Sequence, residues 1–141
     1  MADLTYNIFS GELVVSGKDG TTVIAMAESG FSNFQTDDQR RQRRRRGQPG
    51  YQPGGPIPVG RWRVGVPGGR HPDGGRMRPN WIPVGPVRGR THIYIHCEVH
   101  TEGCINIPKG TEGNQEKYDQ IFAIVKKDSG GWLNVTAGGM G

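Results

Sequence analysis

The residues best suited to chemistry lie in one segment, IYIHCEVHTEGCI, which runs from Ile93 to Ile105. An alternating strand carries His96, and a turn-like TEG sequence then presents Cys104. A free cysteine titrates near ~8.5, so an imidazole within hydrogen-bond reach is the usual way to activate it at neutral pH. Gly103 allows the backbone to approach a substrate carbonyl closely, and neighbouring N–H groups would then form an oxyanion hole. The segment indicates a cysteine nucleophile with a histidine base; a structural histidine and a small buried cysteine are the simpler alternative.

The strand around His96 is predicted to have a core face and a more open face. Side chains at even spacing share one face of a strand, so His92, Tyr94 and His96 point the same way. The isoleucines between them mark the opposite face as the core side, which makes Cys97 a small core residue. Tyr94, on the more open face, is therefore a candidate substrate contact.

The connection from His96 to Cys104 leaves more than one arrangement open. The two residues are eight positions apart, so a hairpin-like reversal is expected to bring them together, and His100 within the connection is a second candidate base. A zinc site is a further alternative, since His92, His96, His100 and Cys104 recur every four residues and zinc accepts mixed ligands. Four residues on a strand nevertheless span roughly 13 Å, too far for one ion. We therefore expect no metal and no other cofactor.

Composition predicts a single, mainly β domain over residues 1–141. Glycine occurs 24 times and proline 10 times, and only 33% of the residues are hydrophobic, which favours turns between many short strands over helices. Two cysteines are too few for a disulfide scaffold. No apolar run approaches ~18 residues, so no membrane span is expected. The opening MADLTYNIFSGEL lacks the basic and apolar regions of a signal peptide, which predicts synthesis in the cytosol and a non-Sec route for any action elsewhere.

Hydrophobic periodicity predicts a hairpin at the start of the chain and one helix near its end. Tyr118, Ile121, Phe122 and Val125 recur at helical spacing within Asn114–Lys127. Trp62 and Trp81 are expected to fill the core, and residues 137–141 to form a flexible glycine-rich tail. The predicted strands are Leu4–Phe9, Glu12–Ser16, Thr21–Ala27, Arg61–Val66, Trp81–Val84, Thr91–Cys97, Ile105–Ile107 and a final edge strand, Trp132–Thr136.

A basic loop is predicted at about residues 36–55, where Gln39–Gln48 contains six arginines. Such a block attracts phosphates, contacts an acidic partner or is simply a solvated loop. No RNA-binding module or repeated aromatic platform accompanies it, so specific nucleic-acid binding is not expected. A non-catalytic basic module that binds nucleic acid or an acidic partner through this loop is nevertheless the main alternative to an enzyme.

Three motifs give the chain a family resemblance. GPIPVGRWRV, IYIH and TEGCI, in this order, resemble the L,D-transpeptidase-like toxins of bacterial type VI secretion, the Tlde family, which are relatives of the YkuD fold. The opening TYNIFSGELVVSGKDG resembles the N-terminal hairpin of that family, and AESGFSN, which contains Ser32, falls where the family has a GYSG segment. The resemblance spans roughly Leu4 to Val125. It implies a YkuD-like β-sandwich or barrel with one helix after the catalytic cysteine.

The resemblance also implies an activity and roles for particular residues. Cys104 matches the family nucleophile, His96 its base and Thr101 the Ser/Thr of the S-x-G-C motif. Family members attack the bond between the third and fourth residues of peptidoglycan tetrapeptide stems, and act as L,D-carboxypeptidases or exchange the terminal D-amino acid. Independently of the resemblance, Arg88 and Arg90 are candidates to pair with a substrate carboxylate, because a guanidinium group binds a carboxylate well.

Partners and localisation follow from the same resemblance. It implies delivery by the type VI secretion apparatus, action in the periplasm of a target cell and a cognate immunity protein in the producer. Three features depart from the family pattern. Cys97 stands where the family usually has glycine, and the arginine block replaces a Gly/Asn-rich segment. The connection between the histidine and the cysteine is also short, which leaves both His96 and His100 as candidates for the base.

Overall fold

The computed structural model describes residues 1–30, 56–99 and 103–138. The basic loop predicted at about 36–55 lies outside the described residues, and so does Ser32 before it. His100, Thr101 and the last three positions of the predicted tail also lie outside them. The described chain is mainly β with one helix, as the composition predicts. Its elements are β1 (Ala2–Asn7), β2 (Glu12–Ser16), β3 (Thr22–Met26), β4 (Glu28–Ser29), β5 (Gly60–Val64), β6 (Ile82–Val84), β7 (Ile93–His96), β8 (Ile105–Asn106), α1 (Asn114–Lys127) and β9 (Gly131–Thr136).

The strands form one strongly curled sheet. Its order is β3-β2-β1-β9-β5-β6-β7-β8-β4, so β3 and β4 lie at opposite ends. Yet β3 ends at Met26 and β4 begins at Glu28, with only Ala27 between them. The sheet must therefore curl until its two edges nearly meet, which gives a barrel-like shape.

The last strand, β9, occupies the middle of the sheet. It pairs in parallel with β1 and antiparallel with β5, so the prediction of an edge strand was wrong. Gly131, Leu133 and Val135 alternate inward and are buried. A strand between two neighbours can pair its backbone N–H and C=O groups on both sides. Gly131, at the start of β9, has no side chain and so lets the backbone of Ala2 approach closely.

The core lies inside the curled sheet and under α1. The predicted helix is confirmed over Asn114–Lys127, and it buries Tyr118, Ile121 and Val125. Lys126 and Lys127 lie in its last turn, where positive charge interacts favourably with the helix dipole. The N-terminal hairpin is also confirmed, with Leu4 of β1 opposite Val15 of β2.

The described residues include no helix long and apolar enough to cross a membrane.

Candidate active site

The segment that carries His96 and Cys104 forms two adjacent parallel strands. Ile95 of β7 pairs with Ile105 of β8, and His96 pairs with Asn106. The two strands therefore run in the same direction. The expected hairpin-like reversal was wrong, because a hairpin would make the two strands antiparallel.

The thiol of Cys104 lies against the backbone of β7. Its Sγ is 3.4 Å from the backbone N–H nitrogen of Tyr94, which donates to sulfur, and 3.8 Å from the carbonyl oxygen of His92. Cys104 is half-buried. Cys104 directly precedes β8, and extending the strand register by one residue places it beside Tyr94, two residues before the level of His96. Two strand residues correspond to about 6.6 Å and neighbouring strands to about 4.8 Å, so the two Cα atoms are roughly 8 Å apart. Side chains on one face can meet across that separation.

His96 is buried and held by an asparagine from the neighbouring strand. Its Nδ1 lies 2.8 Å from Oδ1 of Asn106, and only 4% of the residue is exposed. Burial lowers the pKa of His96 below its ordinary value, while the bond to Asn106 and the charges of Glu98 and Glu28 act in the opposite direction. The imidazole is therefore neutral near pH 7, which is the form that accepts a proton.

An aromatic layer covers this face of β7, so the expectation of an open face was wrong. The Trp81 ring lies 4.6 Å from His96 and 5.1 Å from Tyr94, and the His71 ring lies 4.8 Å from Tyr94. Trp81 also donates from Nε1 to Oε1 of Glu98 at 3.1 Å. Trp81 is half-buried over the candidate site rather than in the core. Trp62 is also half-buried, and it packs against the core without lying inside it.

Gly103, directly before Cys104, is anchored to the neighbouring strand β4. Gly103 is buried and has φ 152°, a region that favours glycine. Its carbonyl oxygen accepts a hydrogen bond of 3.1 Å from the hydroxyl of Ser29 in β4. That hydroxyl in turn accepts from the backbone N–H of Ile57 at 2.8 Å.

A loop around His71 fixes the beginning of β7. His71 is buried, and its Nε2 lies 2.9 Å from the carbonyl oxygen of Ile93. The carboxylate of Asp73 accepts from the backbone N–H of His92 at 2.9 Å, and His92 has a left-handed φ of 55°. The loop thereby holds the backbone stretch against which Cys104 lies.

The other candidate residues are spread around these strands. Cys97 is 6% exposed, as predicted for a core residue, and burial raises the pKa of its thiol, with the charge of Glu98 adding to the effect. Arg88 is exposed, and Arg90 donates from Nη2 to the carbonyl oxygen of Pro56 at 3.1 Å. Within the described ranges, no three His, Cys, Asp or Glu side chains converge as metal ligands.

Sequence reasoning missed the residues that hold the site together, Asn106, Ser29, Trp81 and His71. A signal existed for Asn106, because a polar residue between Ile105 and Ile107 in a short apolar strand must find buried partners. Ser29 and His71 gave no such signal, since their partners are distant in sequence.

Comparison with protein-family models, with curated proteins and with solved structures finds no match.

Proposed function

We propose that the protein is a cysteine L,D-carboxypeptidase or L,D-transpeptidase that acts on the tetrapeptide stems of peptidoglycan. With it we propose that the curled sheet is a YkuD-like fold. The reaction class is supported by the site, and the substrate is supported by the resemblance of GPIPVGRWRV, IYIH and TEGCI to the Tlde family.

One observation carries the proposal. The parallel pairing of β7 with β8 brings Cys104 beside the strand that carries His96, and Asn106 holds the His96 ring. A half-buried thiol, a neutral imidazole and an amide that orients it are the parts of a cysteine–histidine nucleophile. Cys97 is buried and has a raised pKa, which leaves Cys104 as the nucleophile.

The proposed reaction begins when His96 takes the proton of the Cys104 thiol. The sulfur then bonds to the carbonyl carbon of the third stem residue, and backbone N–H groups around Gly103 stabilise the oxyanion. As the intermediate collapses, the C–N bond to the terminal D-alanine breaks, and the protonated His96 donates its proton to the departing amine. Water attacking the thioester gives carboxypeptidase activity, and the amine of another D-amino acid gives exchange.

The roles proposed for Thr101 and Ser32 rest on the resemblance. Arg88 and Arg90 are proposed to pair with a substrate carboxylate because a guanidinium group binds a carboxylate well. Delivery by type VI secretion into a target periplasm, and neutralisation by an immunity protein, belong to the same proposal. Removal of the terminal D-alanine would deprive the target cell of tetrapeptide donors for cross-linking.

The test is mass spectrometry of disaccharide-tetrapeptide muropeptides after incubation with the protein under reducing conditions, with and without D-methionine. The wild type should remove one D-alanine or replace it with D-methionine. Cys104→Ala should leave the tetrapeptide intact. Cys97→Ala is the matched control, since it also deletes one thiol, and should remain active.

Two results would contradict the proposal. An intact tetrapeptide with the wild-type protein would argue against this substrate, and equal turnover by Cys104→Ala would argue against the nucleophile. Binding of nucleic acid or an acidic protein that is abolished by salt and unaffected by Cys104→Ala would favour the basic-module alternative instead.

A further inference from the structure

Asn106 is fully buried, and its amide uses every hydrogen-bonding position it has. Its Oδ1 accepts from the backbone N–H of Glu98 at 2.7 Å and lies 2.8 Å from Nδ1 of His96. Its Nδ2 donates to the carbonyl oxygen of Glu98 at 2.9 Å and to Oε1 of Glu28 at 3.1 Å. An amide offers two donor hydrogens and two acceptor lone pairs, so all four are engaged.

This arrangement fixes the orientation of the amide. Rotating it by half a turn would set its NH₂ group against the N–H of Glu98, and its oxygen against the Glu98 carbonyl and the Glu28 carboxylate. Both sets of contacts would be repulsive. The atom that faces His96 is therefore the oxygen, and Nδ1 of His96 must be the donor in that bond.

From this geometry we propose that Asn106 is a positioning residue, which holds His96 in the Nδ1–H tautomer so that Nε2 carries the lone pair that accepts the thiol proton. The same Nδ1–H bond persists when Nε2 is protonated, so proton uptake requires no rearrangement around the ring. Glu28 extends the arrangement, because its carboxylate accepts from the amide and favours negative polarisation of Oδ1. The tautomer follows from the contacts alone, whereas its use in catalysis rests on the proposed function.

The antiparallel pairing of β4 with β8 makes this arrangement possible. Glu28 belongs to β4 and Asn106 to β8, and the two residues lie directly opposite each other. If Asn106 served only as a structural bridge between these two strands, the His96 tautomer would have no consequence for the thiol.

The tautomer can be read without any substrate, from the ring ¹⁵N chemical shifts of His96 in uniformly labelled protein. The wild type should show a protonated Nδ1 and an unprotonated Nε2 at pH 8. Asn106→Asp keeps an acceptor facing Nδ1, so it should preserve this tautomer and raise the pKa of His96 through its charge. Its second oxygen lies against the Glu98 carbonyl and the Glu28 carboxylate, so the variant should also be less stable than the wild type. A wild-type ring protonated at Nε2 would overturn the proposal, whether or not any variant folds.

The catalytic consequence is tested by the pH dependence of iodoacetamide alkylation of Cys104, which also needs no peptidoglycan. Asn106→Ala should lower the alkylation rate at pH 7 by about 10- to 100-fold, because the imidazole no longer presents Nε2 as the base. Asn134→Ala, an amide deletion on the half-exposed face of β9, is the matched control and should match the wild type.

The outcomes separate this inference from the proposed function. If Asn106→Ala folds and keeps the wild-type rate and pH profile, Asn106 is a bridge between strands and the inference fails. If the tautomer and the alkylation profiles are as expected but the tetrapeptide is not cleaved, the inference holds and the substrate assignment fails.

Discussion

The hydroxyl of Ser29 donates a hydrogen bond of 3.1 Å to the carbonyl oxygen of Gly103, the residue directly before Cys104. It also accepts the backbone N–H of Ile57 at 2.8 Å. One fully buried side chain thereby connects β4, the segment that enters β5 and the turn that presents the thiol.

Ser29→Ala should therefore impair both stability and the site. It removes the hydroxyl that accepts from the buried N–H of Ile57 and donates to the Gly103 carbonyl, and the loss of these two hydrogen bonds should cost about 1–3 kcal/mol in the free energy of unfolding. Chemical denaturation measures this cost, and the alkylation rate of Cys104 reports on the turn. Ser16→Ala is the control, because it removes a half-exposed hydroxyl of β2. Its free energy of unfolding is expected to stay within about 0.5 kcal/mol of the wild-type value. Equal effects of the two substitutions would contradict the role of Ser29.

The two thiols should differ sharply in reactivity. Cys97 is buried and burial raises its pKa, whereas Cys104 is half-buried at the end of the turn. Under native conditions iodoacetamide should modify Cys104 first, with Cys97 at least about tenfold slower, because the thiolate is the nucleophile. Mass spectrometry of peptides from alkylated protein identifies the modified cysteine. Denaturant should abolish the difference, and preferential labelling of Cys97 in the native protein would refute the assignment.

Gly131 lies where the sheet leaves almost no room for a side chain. It pairs with Ala2 of the parallel strand β1, and a Cβ there would meet the Ala2 carbonyl well inside van der Waals contact. The obstacle is backbone in the middle of the sheet, so neither strand can yield cheaply. We expect Gly131→Ala to cost about 3 kcal/mol or more, measured by thermal or chemical unfolding. Gly138→Ala, where a Cβ meets open space, should be nearly neutral.

The helix and the N-terminal hairpin were predictable because their signals are local. Helical spacing of Tyr118, Ile121 and Val125 needs no knowledge of the rest of the chain. The central position of β9 was not predictable in this way, since its partners Ala2 and Gly60 are far away in sequence. The same applies to the site. The alternation of side chains along the strand indicated that His96 and Cys97 point to opposite faces. It could not show that Trp81 covers the His96 ring, because Trp81 belongs to a separate part of the chain.

His96 should make the protein less stable as the pH falls below neutrality. Its pKa is lowered in the folded state, so the unfolded chain binds a proton first, near its ordinary value of about 6.5. The stabilisation is complete above that pH and is lost as the pH decreases towards the folded pKa. The free energy of unfolding should decline between pH 7 and pH 5, and His96→Gln should flatten this slope.

Asp19→Asn provides the control for the pH experiment. A backbone hydrogen bond from Thr21 is the main cause that lowers the pKa of Asp19 to about 2. Asp19 therefore contributes to the free energy of unfolding above about pH 3.9, the usual pKa of aspartate, and this contribution is lost only below that pH. This substitution should leave the slope between pH 5 and 7 unchanged and alter it below pH 4. A slope between pH 5 and 7 that survives His96→Gln would show that other groups cause it.

Trp81 should control the pKa of His96 because its ring excludes water from the imidazole, 4.6 Å away. Trp81→Ala admits water and removes the Nε1 bond to Glu98, which leaves that carboxylate to interact more freely with the imidazolium. Both changes favour the charged ring, so the pKa of His96 should rise towards its ordinary value. An NMR titration of the His96 Cε1 proton measures it. Trp132→Ala removes an indole from the half-exposed face of β9, where Arg61 lies over the ring, and should leave the pKa unchanged. If the pKa of His96 in Trp81→Ala were unchanged or lower, the strands that pack around His96, and not the Trp81 ring, would be the cause of its low pKa.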